Sequence, residues 1–188
     1  MSCIICNNDH TEKLYDILLK CSNCGYIWAN PDISKKQLSN LYNDNYFFGG
    51  EYVDYLQEKQ VLQKNFQRNL KIISKFITSG RLLEIGCAYG FFLDLARKQY
   101  QVQGIDINDN ACKYAREKLC LDVTCGDFLE IDFKNNYYDV IVMWATLEHL
   151  KSPQIYIEKI TTLLKPNGIF AFSTLDIDSL LPKIRKNK

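Results

Sequence analysis

The 188-residue chain carries almost no net charge, with 23 lysines and arginines against 22 aspartates and glutamates. So even a balance excludes a global pull toward nucleic acid or anionic membrane. The short basic end, KIRKNK, reads as a solvated tail. No stretch approaches the roughly 18 consecutive apolar residues that a membrane span needs. The N-terminus, MSCIICNNDH, lacks the basic start and long apolar core of a secretory signal. There is no internal repeat and no low-complexity tract. The expectation is a cytoplasmic globular protein with one good core and a small appendage.

What the chain does have is cysteine, eight in all, in a compartment expected to keep thiols reduced. Cys3, Cys6, Cys21 and Cys24 form two C-x-x-C pairs, CIIC and CSNC, fourteen residues apart. Each pair can turn two thiolates toward one ion, and two pairs close a tetrahedron. A hairpin fits between them, with YDILLK as the strand returning to the second pair. Gly25 supplies the backbone freedom the second knuckle needs. The four point to structural zinc rather than to a disulfide or a redox site, since no βαβ pattern surrounds them. With four ligands used, such a site has no open position for catalysis. His10 reads as a surface residue. Cys87, Cys112, Cys120 and Cys125 have no ligand spacing and read as small buried apolar residues.

The expected organisation is a zinc ribbon over 1–30, a connecting helical segment with a lid over 31–79, and a ligand-binding domain over 80–188. Ser34 reads as an N-cap for the short helix KKQLSNLY. The loop NDNYFFGG is aromatic, and an amphipathic helix follows from about Glu51 to Thr78. From Arg81 strands and helices alternate: RLLEIG, FFLDLARKQ, VQGIDI, NDNACKYAREKL, DVTCGD, YYDVIVMWA, SPQIYIEKITTLL, a KPNG turn, and IFAFST. Asn108 and Ser152 are expected N-caps, with Pro153 at a first helical position. The alternation means a doubly wound, mainly parallel α/β sheet of about five strands.

In such sheets ligands bind beyond the carboxyl ends of the strands, where the strand order reverses. The turn after the first of these strands, Gly86 to Gly90, therefore matters most. A phosphate loop is excluded, because no Lys with Ser or Thr follows the second glycine. A dinucleotide turn fits badly, because Phe91 stands where close packing demands glycine. A nucleoside without pyrophosphate fits better: Gly86, Ala88 and Gly90 keep the turn low, and Glu84 stands just before it. Asp106 ends the next strand, where a carboxylate can accept both ribose hydroxyls. Asp127 could accept from an adenine amino group, with Phe128 against the ring.

The segments LLEIGCAYG, GIDI, CGDFLEIDF, YDVIVMWATLEHL and LLKPNGIFAFST resemble the successive motifs of the class I S-adenosylmethionine-dependent methyltransferases. The front half, with its paired cysteines and GYIWANPDISKKQLSNLYNDNYF, is similar to a bacterial subgroup in which a zinc ribbon precedes the methyltransferase domain. The resemblance implies a Rossmann-like fold and S-adenosylmethionine as cofactor, with zinc in the ribbon. It implies that Glu84, Gly86, Ala88 and Gly90 surround the methionine part. Asp106 and Ile107 would meet the ribose and flank the adenine, and Asp127 and Phe128 would hold the adenine. Trp144 would line the pocket, though Ile107 and Trp144 could also be packing residues. Ala88 stands where the family usually has glycine and should narrow the pocket slightly.

For the chemistry, His149 could serve as base; it could also cap its turn or pack under the next helix. Glu148 could face the cofactor. Tyr42, Tyr46 and Phe47 could form a lid or pack on the long helix. The family's sheet has seven strands, and the sequence shows five, the last hairpin being absent. The fifth strand would then be an exposed apolar edge, open to self-association or to a partner chain. The resemblance implies methyl transfer to a small molecule, with a nucleotide-linked sugar or polysaccharide unit as candidate; nucleic acid is disfavoured by the charge balance. The rival expectation is a non-catalytic cofactor-binding remnant, or one half of a split methyltransferase.

Overall fold

The computed structural model describes residues 2–14, 18–29 and 59–176. They fall into two compact units, within 1–53 and 54–188. Expectations for Ser34, Tyr42, Tyr46, Phe47 and the first half of the long helix lie outside the described residues.

In the first unit β1 (Thr11–Lys13), β2 (Leu18–Cys21) and β3 (Ile27–Ala29) form an antiparallel meander in the order β1-β2-β3. The strands are too short to bury a core of their own. Cys3 and Cys21 are fully buried, while most of their neighbours are half-buried or exposed. Tyr26 and Trp28 stack with ring centres 5.5 Å apart.

The second unit opens with α1 (Lys59–Ile73). Its stripe Phe66, Leu70 and Ile73 is buried, spaced three and four residues apart as a helix facing a core requires. Phe76, inside the span expected for this helix, lies beyond its end and is 72% exposed. The sheet follows as β4 (Gly80–Ile85), β5 (Tyr100–Asp106), β6 (Val123–Cys125), β7 (Tyr138–Trp144) and β8 (Leu164–Ser173). Its order is β6-β5-β4-β7-β8 and every pair is parallel. The chain runs outward from β4 through β5 and β6, then returns to the far side of β4 for β7. That reversal places the ligand crevice at the carboxyl end of β4.

The helices α2 (Phe91–Ala96), α3 (Asp109–Leu119) and α4 (Pro153–Leu163) connect the strands. Phe66 of α1 meets Phe92 of α2 edge to face, and Phe92 meets Trp144 likewise. In β7, Val140, Ile141, Val142 and Met143 are all 0% exposed, which is why its sequence is a continuous apolar run. Asn108 caps α3 as expected, its side chain accepting from the Ala111 amide at 2.8 Å. Ser152 precedes α4 but its hydroxyl makes no cap bond; Pro153 at the start sets the helix instead.

Two local expectations change. The KPNG turn is a loop-out within β8, not a turn before it. Leu164 pairs with Tyr138, and Ile169 next pairs with Val140. Lys165 in that loop-out donates to both Asp139 oxygens at 2.8 Å, and the Arg81 amide donates to Asp139 at 2.8 Å. The scattered cysteines also divide: Cys87 and Cys112 are buried, Cys125 is half-buried, and Cys120 is exposed. Cys120 ends α3 in the left-handed region. Among the described residues β8 is the sheet's outer strand beyond β7, and Phe172 on it is 49% exposed. None of the described helices is long and apolar enough to cross a membrane.

Candidate functional site

Strand register brings the expected residues to one rim. Ile85 pairs with Ile105, Asp106 with Cys125, and Glu84 with Val142. Gly86, Asp106, Cys125 and Trp144 therefore stand at the same level, where β4, β5, β6 and β7 end, with Gly126 one residue beyond. The Gly86 and Cys87 amides both donate to the Ile105 carbonyl, at 2.8 and 3.1 Å, tying the turn to β5. Gly86 has φ +75°, and a Cβ there would lie 2.4 Å from Thr146 Oγ1. The loop after β7 thus sits directly on the turn, and only glycine leaves room. Gly90 has φ +76°, and a Cβ there would strike Leu121 at 2.6 Å. Ala88 takes φ +44° without being glycine. That strained backbone points its amide at Asp106, donating to Oδ2 at 2.7 Å.

Asp106 is the hub of the rim. Its Oδ1 accepts from the Asn108 amide at 2.8 Å, so both carboxylate oxygens are oriented by main-chain donors. Burial raises its pKa above the ordinary carboxylate value, against the pull of those amides. Each oxygen keeps acceptor capacity beyond one N–H. Glu84 is more extreme. It is 3% exposed, and its Oε2 is buried with no hydrogen-bond partner among the described residues. Burial, with Asp106 nearby, pushes its pKa well above the carboxylate range. A buried carboxyl beside a second one, left without a donor, is what a cationic ligand group would satisfy. Trp144 Nε1 and Glu148 Oε2 are likewise buried and unpartnered among the described residues.

The flank formed by β6 completes the rim. Gly126 donates to the Asp106 carbonyl at 2.9 Å. Asp127 Oδ1 accepts from the Leu129 amide at 2.9 Å. Ile107 is 61% exposed, which removes the packing alternative for it. Phe128 differs from expectation: its ring is 3% exposed and lies in the core against Phe133 and Tyr156. So placed, the ring is packed in the core and not free to lie against a purine. His149 sits on a 3-10 turn, Leu147–His149, just past β7, with its amide on the Thr146 carbonyl at 3.0 Å. Sequence reasoning missed Thr146, Tyr156 and Lys159. Their importance comes from contacts with residues far along the chain, which no local pattern encodes.

In the first unit the four cysteine sulfurs all lie within 4.8 Å of one another. Cys3 and Cys24 are 3.6 Å apart, and Cys6 and Cys21 3.5 Å. Sulfurs on one tetrahedral zinc stand about 3.8 Å apart, given a Zn–S bond near 2.3 Å. Amide groups point at these sulfurs, as metal-bound thiolates require: the Asn23 backbone to Cys21 at 3.4 Å, and the Asn23 side chain to Cys6 at 3.5 Å. His10 is exposed and its imidazole is not part of the cluster. Among the described residues this is the sole such grouping of His, Cys, Asp or Glu.

The family described as Methyltransferase domain matches residues 53–187. A ubiquinone biosynthesis O-methyltransferase of Bradyrhizobium diazoefficiens is 29% identical over 119 residues, 60% of this chain and 46% of the relative. The PH0226 protein of Pyrococcus horikoshii has a solved structure with TM-score 0.60 and 20% identity, over 82% of this chain and 72% of that one. An amino pentose methyltransferase from Micromonospora echinaspora, solved with SAM bound, gives TM-score 0.56 and 17% identity, over 61% of this chain and 51% of that one. These last two likenesses establish the fold. The chain spans about half the length of the curated relatives it matches.

Proposed function

We propose, because the chain belongs to the Methyltransferase domain family, that its rim holds S-adenosylmethionine and that the methyl group passes to a small-molecule acceptor. The observation that carries this reading is Glu84, a buried carboxyl with an unpartnered oxygen, beside Asp106 at the reversal of strand order. When bound, the cofactor supplies an activated methyl group on a cationic sulfur. Glu84 would accept from the ammonium end of the amino-acid tail. Gly86, Ala88 and Gly90 let that tail approach the main chain. Asp106, already oriented by two amides, would accept from the ribose hydroxyls. Ile107 would cover one face of the purine and Asp127 would read its amino group, with Phe128 contributing main chain only. Trp144 would line the methyl-bearing end, its indole N–H free to donate.

The protein's part in the chemistry is alignment of donor and acceptor. A hydroxyl acceptor also has to lose a proton, and His149, on the turn beyond β7, is the residue we assign as base. The ubiquinone biosynthesis relative is an O-methyltransferase by name, and it supports a small acceptor of that size class. Within that class a nucleotide-linked sugar or polysaccharide unit is our candidate. In the first unit Cys3, Cys6, Cys21 and Cys24 would hold a structural zinc. The outer strand β8 is where we expect pairing with a second copy or another chain; sedimentation would show it as a dimer or complex.

The test is turnover. The chain is incubated with S-adenosylmethionine and a panel of hydroxyl-bearing acceptors, sugar nucleotides included, and S-adenosylhomocysteine is measured. Acceptor-dependent product is expected, and His149→Ala should lower the rate while leaving cofactor affinity unchanged. Cofactor binding without turnover on any acceptor would replace this reading by a non-catalytic binding module.

A further inference from the structure

The turn after β6 is gripped from outside the rim by two residues of α4. Tyr156 and Lys159 are three apart and so share one face of the helix. The Lys159 ammonium donates to three main-chain carbonyls of that turn: Phe128 at 2.7 Å, Leu129 at 3.1 Å and Ile131 at 2.6 Å. All three of its protons are used. It also lies over the rings of Phe128 and Phe133, at 4.9 and 5.8 Å. Tyr156 stacks on Phe128 with ring centres 5.7 Å apart, and its hydroxyl donates to Asp127 Oδ1 at 3.3 Å. Burial, with Asp127 beside it, raises the Tyr156 pKa to about 12, so the phenol stays a donor.

Asp127 Oδ1 is thus held by two donors, the Leu129 amide and the Tyr156 hydroxyl. Among the described residues its Oδ2 accepts no such bond, and it is the oxygen left for a ligand. We infer that Tyr156 is a positioning residue for base specificity: by holding Oδ1 it presents Oδ2 as a pure acceptor, which selects a 6-amino purine over a 6-oxo purine. Lys159 fixes the turn on which Asp127 stands. The selection is chemical. A carboxylate offers acceptors only, so an amino group pairs with it and a carbonyl oxygen is repelled. This inference rests on the reading that the rim holds an adenosyl cofactor.

The test compares binding of S-adenosylhomocysteine and S-inosylhomocysteine to the full chain by calorimetry. Wild type should prefer the adenosyl compound by about tenfold or more, the worth of a hydrogen bond to a charged group. Tyr156→Phe should keep its melting temperature and its affinity for adenosine-free S-ribosylhomocysteine, yet narrow the preference to about threefold or less. A purely structural role would lower all three affinities together. Asp127→Asn supplies a second readout. Both donors on the Oδ1 position would hold the amide oxygen there and turn the NH2 outward, so the preference should reverse toward the inosyl compound. Adding Tyr156→Phe to that variant should weaken the reversal. A Tyr156→Phe protein with the wild-type ratio, or an Asp127→Asn protein with no shift toward inosine, would overturn the inference while leaving the cofactor reading intact. Failure of wild type to bind S-adenosylhomocysteine at all would remove both.

Discussion

The two units reach order by different means. In the second, Val140 to Met143 of β7 are fully buried, and the helix residues Phe66, Phe91, Phe92 and Leu163 are buried too. In the first, three strands of three or four residues stand with four thiols, and among the described residues the fully buried side chains are themselves cysteines, Cys3 and Cys21. One unit has a hydrophobic core and can place functional groups on its rim. The other has a ligand set where a core would be, so the metal it is built to hold would also be its folding energy. The difference teaches that polar groups serve opposite ends in the two places. In the ribbon they would all be consumed by structure, while at the sheet's rim Glu84 and Asp106 keep acceptor capacity for a ligand.

That contrast can be broken most severely at the cysteines. Chelation of zinc, or Cys21→Ser, should unfold the first unit outright, because structural zinc contributes on the order of 10 kcal/mol. The second unit should keep its own thermal transition. Calorimetry with metal analysis checks this, and about one zinc per chain lost together with one transition is the expected outcome. A single transition that vanishes as a whole would show that the units do not melt independently.

Next in size is the glycine turn. Gly86→Ala puts a Cβ 2.4 Å from Thr146 Oγ1 at φ +75°, and should cost about 2 kcal/mol or more of stability. Combining it with Thr146→Ala should recover the part due to the clash and leave the part due to φ. Denaturant unfolding of the pair measures both. Recovery of nothing would mean the β7 loop does not press on the turn.

A smaller effect concerns protons. The native Glu84 pKa is raised by burial, then by Asp106, above its unfolded value of roughly 4.3. Between those two values the folded chain holds the extra proton. Stability is therefore full below the unfolded pKa and declines as pH rises through the native one. Glu84→Gln should flatten that decline. A ligand ammonium on Glu84 would favour its ionised form, so proton release on binding S-adenosylhomocysteine, followed across a range of pH through the dependence of the binding enthalpy on the buffer, should be larger in wild type than in Glu84→Gln.

The smallest effect is expected at Ala88, held at φ +44°. Ala88→Gly should relieve the strain but loosen the unfolded chain, for a net change of about 0.5 kcal/mol or less. Thermal melts with a cofactor titration check it, and affinity should stay equal or rise slightly.

Much of this was legible in the sequence because its signals are local. Asn108 caps α3 because the next turn needs an acceptor, and the apolar run of β7 is written directly in VIVM. Glu84, Gly86 and Asp106 could be found because strand ends and glycine turns lie next to each other along the chain. The missed features depend on distance. Phe128 turns inward because Phe133 and Tyr156 provide a stacking surface there, and Tyr156 lies 28 residues on. The KPNG segment joins β8 because Lys165 finds Asp139, 26 residues earlier. Thr146 matters only because the β7 loop folds onto Gly86. Nothing in the residue's neighbours announces any of these.

The most direct test of the central claim is a calorimetric titration of the zinc-loaded chain with S-adenosylhomocysteine, alongside Asp106→Ala. Saturable binding by wild type, weakened about 100-fold or more in the variant through the loss of charged hydrogen bonds, is the expected result. A folded wild type that does not bind, or an Asp106→Ala protein that binds as well as wild type, would contradict the assignment of the rim as a nucleoside site.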